Sequence, residues 1–230
     1  MKYTSLILVA GTLSCASLNA ASITWTFTNI ASTGPSGNTM GTGALDNSDT
    51  FVYAENTGGS ALIFDGISFD EGTINFAANN PAFTGFHSTP GNSPISSTGT
   101  YGSGADGPEL AILGTGGVGG ALTVNDTYRV QLIIMDGRGS QSQRTFEVDG
   151  IATDHAQGTQ GVTWGPVLLA TGTFTADSAS QAILLDVKES TGGSAGAQLN
   201  GLVLHNTTVP EPSSIAMLGL GSIALLRRRR

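Results

Sequence analysis

The chain has 230 residues, with 9 Lys or Arg against 17 Asp or Glu and a formal net charge of −8 at pH 7. Between residues 21 and 208 the positive side chains are Arg129, Arg138, Arg144 and Lys188, set against every acid except Glu211. That balance excludes duplex nucleic acid as a partner, since a phosphate surface requires cationic neutralisation.

The chain opens with Lys2, an apolar stretch over residues 6–13, and small residues ending in Leu18-Asn19-Ala20-Ala21. This is the layout of a secretory signal peptide spanning residues 1–21, cut after Ala20 or Ala21. Its partners are then the Sec translocon and signal peptidase. Cys15 is the one cysteine, and Thr12-Leu13-Ser14 before it sets the leucine one residue away from a lipoprotein signal. The exported domain is therefore expected to have neither a disulfide nor thiol chemistry.

Residues 22–208 suffice for one domain with a real core. Ile23-Thr24-Trp25-Thr26-Phe27 alternates apolar and hydroxyl side chains, the period of a half-buried strand. Similar runs follow at 51–54, 61–69, 73–76, 110–113, 128–135, 144–148, 167–174, 181–187 and 198–205. Gly-Gly, Asn-Asn-Pro, Thr-Pro-Gly-Asn and Asp-Gly punctuate them as turns. Residues 78–107 read as a long loop, and no interior window shows a helical period. The expected fold is all-β, a two-sheet antiparallel β-sandwich of jelly-roll type, followed by a C-terminal hydrophobic helix. Scarce Lys and 33 Gly suit an extracellular β-protein with polar loops.

Chemistry-bearing motifs are sparse. Gly114-Thr115-Gly116-Gly117-Val118-Gly119 is a literal G-x-G-x-x-G after a strand, with Asp136 further on. The residues after it, 120–127, are too short and too β-branched for the helix that a dinucleotide site needs, so the stretch reads as a glycine loop. His87, His155 and His205 are isolated, which gives no local metal pattern. No Gly-x-Ser-x-Gly elbow occurs, and abundant acids select no particular pair for glycoside hydrolysis. No enzyme is expected. Asp46 with Asp49, and Asp70 with Glu71, are oxygen-ligand clusters placed on turns. They are candidates for a structural Ca²⁺, although Asp and Asn make turns unaided. Asp136, Arg138 and Arg144 bring charge to one inter-strand loop, where Trp164 or Tyr101 would stack on a sugar ring. A hairpin ion pair and a core tryptophan explain the same residues.

The tail from residue 209 carries Pro210-Glu211-Pro212, an uncharged run over 213–226, and Arg227, Arg228, Arg229 and Arg230. As a helix at about 1.5 Å per residue the run extends roughly 21 Å, short of the roughly 30 Å hydrocarbon core. It spans a membrane only with local thinning and snorkelling arginines. In these three parts the tail resembles the PEP-CTERM sorting signals of Gram-negative bacteria. The resemblance makes Pro210, Glu211 and Pro212 the recognition triplet. It implies processing by an integral-membrane exosortase and delivery to the cell envelope or extracellular matrix.

A second resemblance rests on 122–132, with its Tyr-x-Val-x-Leu, on the strand ending Val148-Asp149-Gly150, and on 172–176 with 199–204. These stretches are similar to the galactose-binding-like or malectin-like jelly rolls of secreted bacterial proteins. Together the readings point to a non-enzymatic surface protein with a structural or adhesive role and polysaccharide as a candidate partner. A specific carbohydrate-binding module and a glycan hydrolase or lyase are the rivals.

Overall fold

The computed structural model describes residues 21–30, 43–74, 76, 83–84, 95, 98–102, 108–134, 144–153, 167–189, 194–195 and 197–208. Residues 1–20 and 209–230, on which most of the expected signal segment, Cys15 and the expected apolar helix of the tail fall, lie outside these residues. In chain order the strands are β1 (Thr24–Ile30), β2 (Thr50–Asn56), β3 (Leu62–Phe64), β4 (Ile67–Glu71), β5 (Phe83–Thr84), β6 (Thr98–Tyr101), β7 (Glu109–Gly114) and β8 (Thr127–Ile134). They continue as β9 (Arg144–Val148), β10 (Ile151–Ala152), β11 (Val167–Thr175), β12 (Ser180–Glu189), β13 (Ser194–Ala195), β14 (Gln198–Leu199) and β15 (Gly201–Asn206). No α-helix occurs among the described residues.

A seven-stranded sheet runs β1-β11-β8-β15-β2-β4-β3, and a five-stranded sheet runs β10-β9-β12-β13 with β7 also paired to β12. Strands β14, β6 and β5 form a small third sheet. The two large sheets pack face to face. Trp25, Val130, Leu132, Leu168, Ala170, Leu202 and Leu204 from one meet Ala111, Leu113, Phe146, Val148, Ile183, Leu185 and Val187 from the other. The period of two then sends the alternate residues Ile133, Leu169, Val203 and Ala54 to the opposite face of the seven-stranded sheet. There a second core forms with Leu45, Phe64, Ile67 and Phe69, so the segment 43–49 and the β3–β4 hairpin roof that face.

Asp149 ties the sandwich together. It sits at φ 50° in the Asp149-Gly150 turn between β9 and β10, accepts the Trp25 indole N–H at 2.8 Å and accepts the Leu184 backbone N–H at 2.8 Å. One turn residue thus joins the edge strand of the first sheet to a central strand of the second.

Four expectations are corrected. The run 61–69 is a hairpin, because Asp65 and Gly66 take positive φ values of 52° and 79° and reverse the chain. The run 198–205 divides at Asn200 into β14 and β15, and the fully buried Asn200 side chain donates to the Thr98 carbonyl at 2.7 Å. The stretch 78–107 is not wholly loop, since it contains β5 and β6. Thr73 and Ile74 form no strand: the Glu55 carboxylate takes their two N–H groups, at 2.7 and 2.6 Å, and so stands in for a neighbouring strand. Pairing is antiparallel throughout the described strands except between β2 and β4, where Glu55 and Asn56 lie parallel to Asp70 and Glu71.

Candidate functional site

On the roofed face of the seven-stranded sheet, register places Phe51 of β2, His205 of β15 and Arg129 of β8 side by side. A β-bulge makes this possible. Leu204 pairs with Tyr53 but His205 pairs with Phe51, so Val52 is the extra residue. Val52 and Tyr53 both pack toward the first core, and Phe51 is re-aimed to the His205 side. The rings meet edge to face, with centroids 6.0 Å apart at 74°.

Arg129 is the anchor of the site. Its Nη1 lies 2.5 Å from Asp46 Oδ2 and 2.7 Å from Asp49 Oδ2, and its Nη2 donates to the Asp46 carbonyl at 2.8 Å. Asp46 also closes a turn by accepting the Ser48 N–H at 3.0 Å and hydroxyl at 2.6 Å. Those bonds come first among the causes that hold its carboxyl below the usual range, ahead of the Arg129 charge. Asp65 supports the segment from the other side, accepting the N–H groups of Gly43 and Leu45 at 2.5 and 3.0 Å. Its own carbonyl takes the Asn47 amide at 2.9 Å.

Between these elements lies a cavity of about 270 Å³, lined by Asn47, Asp49, Phe51, Gly66, Ile67, Ser68 and His205. Its wall is mixed: Phe51 is 48% exposed, whereas His205 is 1% exposed. The Nδ1 of His205 has no hydrogen-bond partner, and neither does Arg129 Nε. Burial, then the Arg129 charge, holds the imidazole below its ordinary pKa against the opposing pull of Asp49 and Asp46, so it is neutral at neutral pH.

The anticipated site residues fare unevenly. Asp46 and Asp49 converge on Arg129, whose guanidinium stands where a Ca²⁺ would have to sit, and Asp46 is a turn-maker. Asp70 and Glu71 lie on strand β4, not on a turn, with exposed side chains. Among the described residues no group of three His, Cys, Asp or Glu is gathered as a metal site. Tyr101 stands on β6 opposite Gln198, while Arg144 begins β9 opposite Glu189, so the two belong to different sheets. Asp136, Arg138, Trp164, His87 and His155 lie outside the described residues.

The glycine motif is a turn. Val118 returns to donate to the Ile112 carbonyl at 3.0 Å, and a Cβ at Gly117 would overlap that same oxygen. The chain then passes through 121–126 into β8 with no helix, so the dinucleotide reading fails for want of the dipole end it requires. Nothing in the sequence marked Phe51, Arg129, His205 or Ser68 as neighbours. The one available signal was the rarity of cations in the domain, which makes an arginine on a strand as buried as β8 unusual.

The fold and its tail define an exported β-sandwich protein carrying a sorting signal. Residues 208–230 match the PEP-CTERM protein-sorting motif, which implies an exported chain that crosses the membrane toward the cell surface and is processed by an exosortase. Comparison with curated proteins finds no match. Among solved structures, the ANX1 ectodomain from Arabidopsis thaliana is similar over 70% of this chain and 49% of that one, with 12% identity and a TM-score of 0.44. The ANXUR1 extracellular domain from the same plant covers 68% and 48%, at 14% identity and a TM-score of 0.43. The chain thus spans about half the length of these structures. Among the described residues no helix is long and apolar enough to cross a membrane.

Proposed function

We propose that this chain is a non-enzymatic component of the cell envelope or extracellular matrix, structural or adhesive in role, with a sandwich ectodomain that contacts polysaccharide. In this reading residues 1–21 are removed on export, 22–208 form the ectodomain, and 209–230 hold the chain in the membrane until an exosortase acts. The sorting motif at 208–230 carries the proposal. An acidic domain nearly free of Lys supports it, because such a surface is repelled by anionic membranes and nucleic acid and stays soluble outside the cell.

The test compares intact mass and location in the native cells for the wild type and a chain with Pro210, Glu211 and Pro212 changed to Ala. The expected wild-type mass ends near residue 210, with the variant retained in the membrane at greater mass. Equal masses that both keep the tail would reduce it to a plain anchor. Turnover of a glycan or ester panel by the purified protein would overturn the non-enzymatic part.

A specific carbohydrate-binding module is the second reading, favoured by the cavity lined by the half-exposed Phe51 with Asn47, Asp49 and Ser68.

A further inference from the structure

We propose that β1 is a self-association edge, pairing antiparallel with β1 of a second copy of this chain about a two-fold axis at Thr26 and so joining two seven-stranded sheets into one. The proposal goes beyond the envelope reading above and does not depend on contact with polysaccharide.

The edge itself comes first. Strand β1 ends the seven-stranded sheet, and over Thr24–Thr28 it runs in unbroken register with β11. An antiparallel ladder uses the N–H and C=O of every second residue, so the alternate set faces away from β11. Among the described residues no other strand meets that side. The other edges are short or closed. Strand β3 has three residues and runs into Asp65, and β10 and β13 have two each. The outer side of β7 is taken by Val118, which donates to the Ile112 carbonyl at 3.0 Å and accepts the Gly114 N–H at 2.7 Å. Strand edges left in water are ordinarily guarded by charge, proline or a bulge. Strand β1 carries none of the three.

The core is also unfinished along this side. Asp149, in the turn that leads into β10, accepts the Trp25 indole N–H, so the two large sheets end together at β1 and β10. Ile151 of β10 is paired with Val148, and paired residues share a face. Val148 is fully buried, yet Ile151 is 45% exposed. Ile23 and Phe27, which pack against the same core, are only partly buried. A strand added beyond β1 lies over this opening.

Charge and sequence select the occupant. The domain is strongly acidic, and like charge holds two copies apart wherever acids line the surface. Residues 21–45 contain no charged side chain, so β1 is where two copies approach without that repulsion. A two-fold axis at Thr26 sets Thr26 against Thr26 and Thr24 against Thr28 on the exposed face, and Trp25 against Phe27 on the core face. Thr–Thr and aromatic pairs are favourable cross-strand neighbours. An axis at Phe27 would instead oppose Trp25 to Asn29.

The experiment uses the protein in its exported form, purified from its own cells and followed by sedimentation equilibrium. The wild type is expected to show a monomer–dimer equilibrium that tightens with added salt, because salt screens the repulsion between two acidic domains and leaves an uncharged interface intact. Thr24→Glu with Thr28→Glu sets like charges directly opposite at two places and weakens the dimer by about tenfold. Thr24→Lys with Thr28→Glu sets opposite charges at the same two places and keeps the dimer at least as tight as in the wild type. Both side chains are exposed, so neither variant disturbs the core, and thermal midpoints of the two check that they are folded alike. A wild type that is monomeric at every concentration, a Glu–Glu variant that associates like the wild type, or a Lys–Glu variant that dissociates with the Glu–Glu one each overturns the proposal.

Discussion

Replacing Glu55 tests whether one carboxylate substitutes for a strand. The side chain is fully buried. Its Oε1 accepts the backbone N–H groups of Thr73 at 2.7 Å and Ile74 at 2.6 Å, and its Oε2 accepts the hydroxyls of Thr73 and Tyr53, each at 2.9 Å. Hydrogen bonds to a charged group contribute about 1.5–3 kcal/mol each. Thr73 is exposed, so its two donors return to water when the carboxylate is removed. Ile74 N–H and the Tyr53 hydroxyl are half-buried and stay largely unpaired. Counting those two alone, Glu55→Ala costs about 3–6 kcal/mol, a large share of the ~5–15 kcal/mol that holds a domain folded. Glu55→Gln keeps an oxygen for both N–H groups and turns an amide toward hydroxyls that can rotate to accept, so it costs about 1 kcal/mol. Urea denaturation of the two variants reads the difference. The Tyr53 phenol supplies an independent check: burial first, then the bond to Glu55 and its charge, push its pKa well above the ordinary value. In Glu55→Gln an ultraviolet titration should find that ionisation earlier but still raised, because burial persists. If alanine and glutamine cost the same, or the phenol titrates unchanged, the carboxylate is not what holds residues 73–74.

Two further outcomes are expected. Because the folded pKa of His205 lies below its ordinary 6.5, the unfolded chain takes up that proton first. Stability is then complete above about pH 6.5 and declines as pH falls through that value. Asp46, held below 3.8, adds a second loss as pH falls below that. His205→Gln should remove the first decline and keep the second, read as thermal midpoints across the acid range; identical wild-type and variant profiles would contradict the assignment. Gly117→Ala should cost about 1–3 kcal/mol by forcing a methyl against the Ile112 carbonyl, measured by urea denaturation. Added nicotinamide dinucleotide should not raise the midpoint of wild type or variant, and protection by it would restore the cofactor reading of the glycine loop.

The sequence alone determined the class of fold and the export of the chain toward the cell surface. Period-2 runs such as 23–27, 144–148 and 167–174 declare strands because alternation is a property of consecutive residues, and β9 (Arg144–Val148) begins and ends where its pattern does. The tail is legible for the same reason, since its triplet, apolar run and arginines are contiguous. What required the tertiary structure was everything decided between distant segments. The hairpin at Asp65-Gly66 and the break at Asn200 each interrupt an apolar run that reads as one strand. Glu55 reads as an ordinary polar position until Thr73 and Ile74 reach it from a different part of the chain. The candidate site depends most on tertiary pairing: a one-residue bulge at Val52 brings Phe51 to the His205 face, and Arg129 finds Asp46 and Asp49 across 83 and 80 positions of sequence. No local pattern encodes a bulge or a partner that far away, because both follow from the register in which whole strands minimise exposed apolar surface and unpaired backbone.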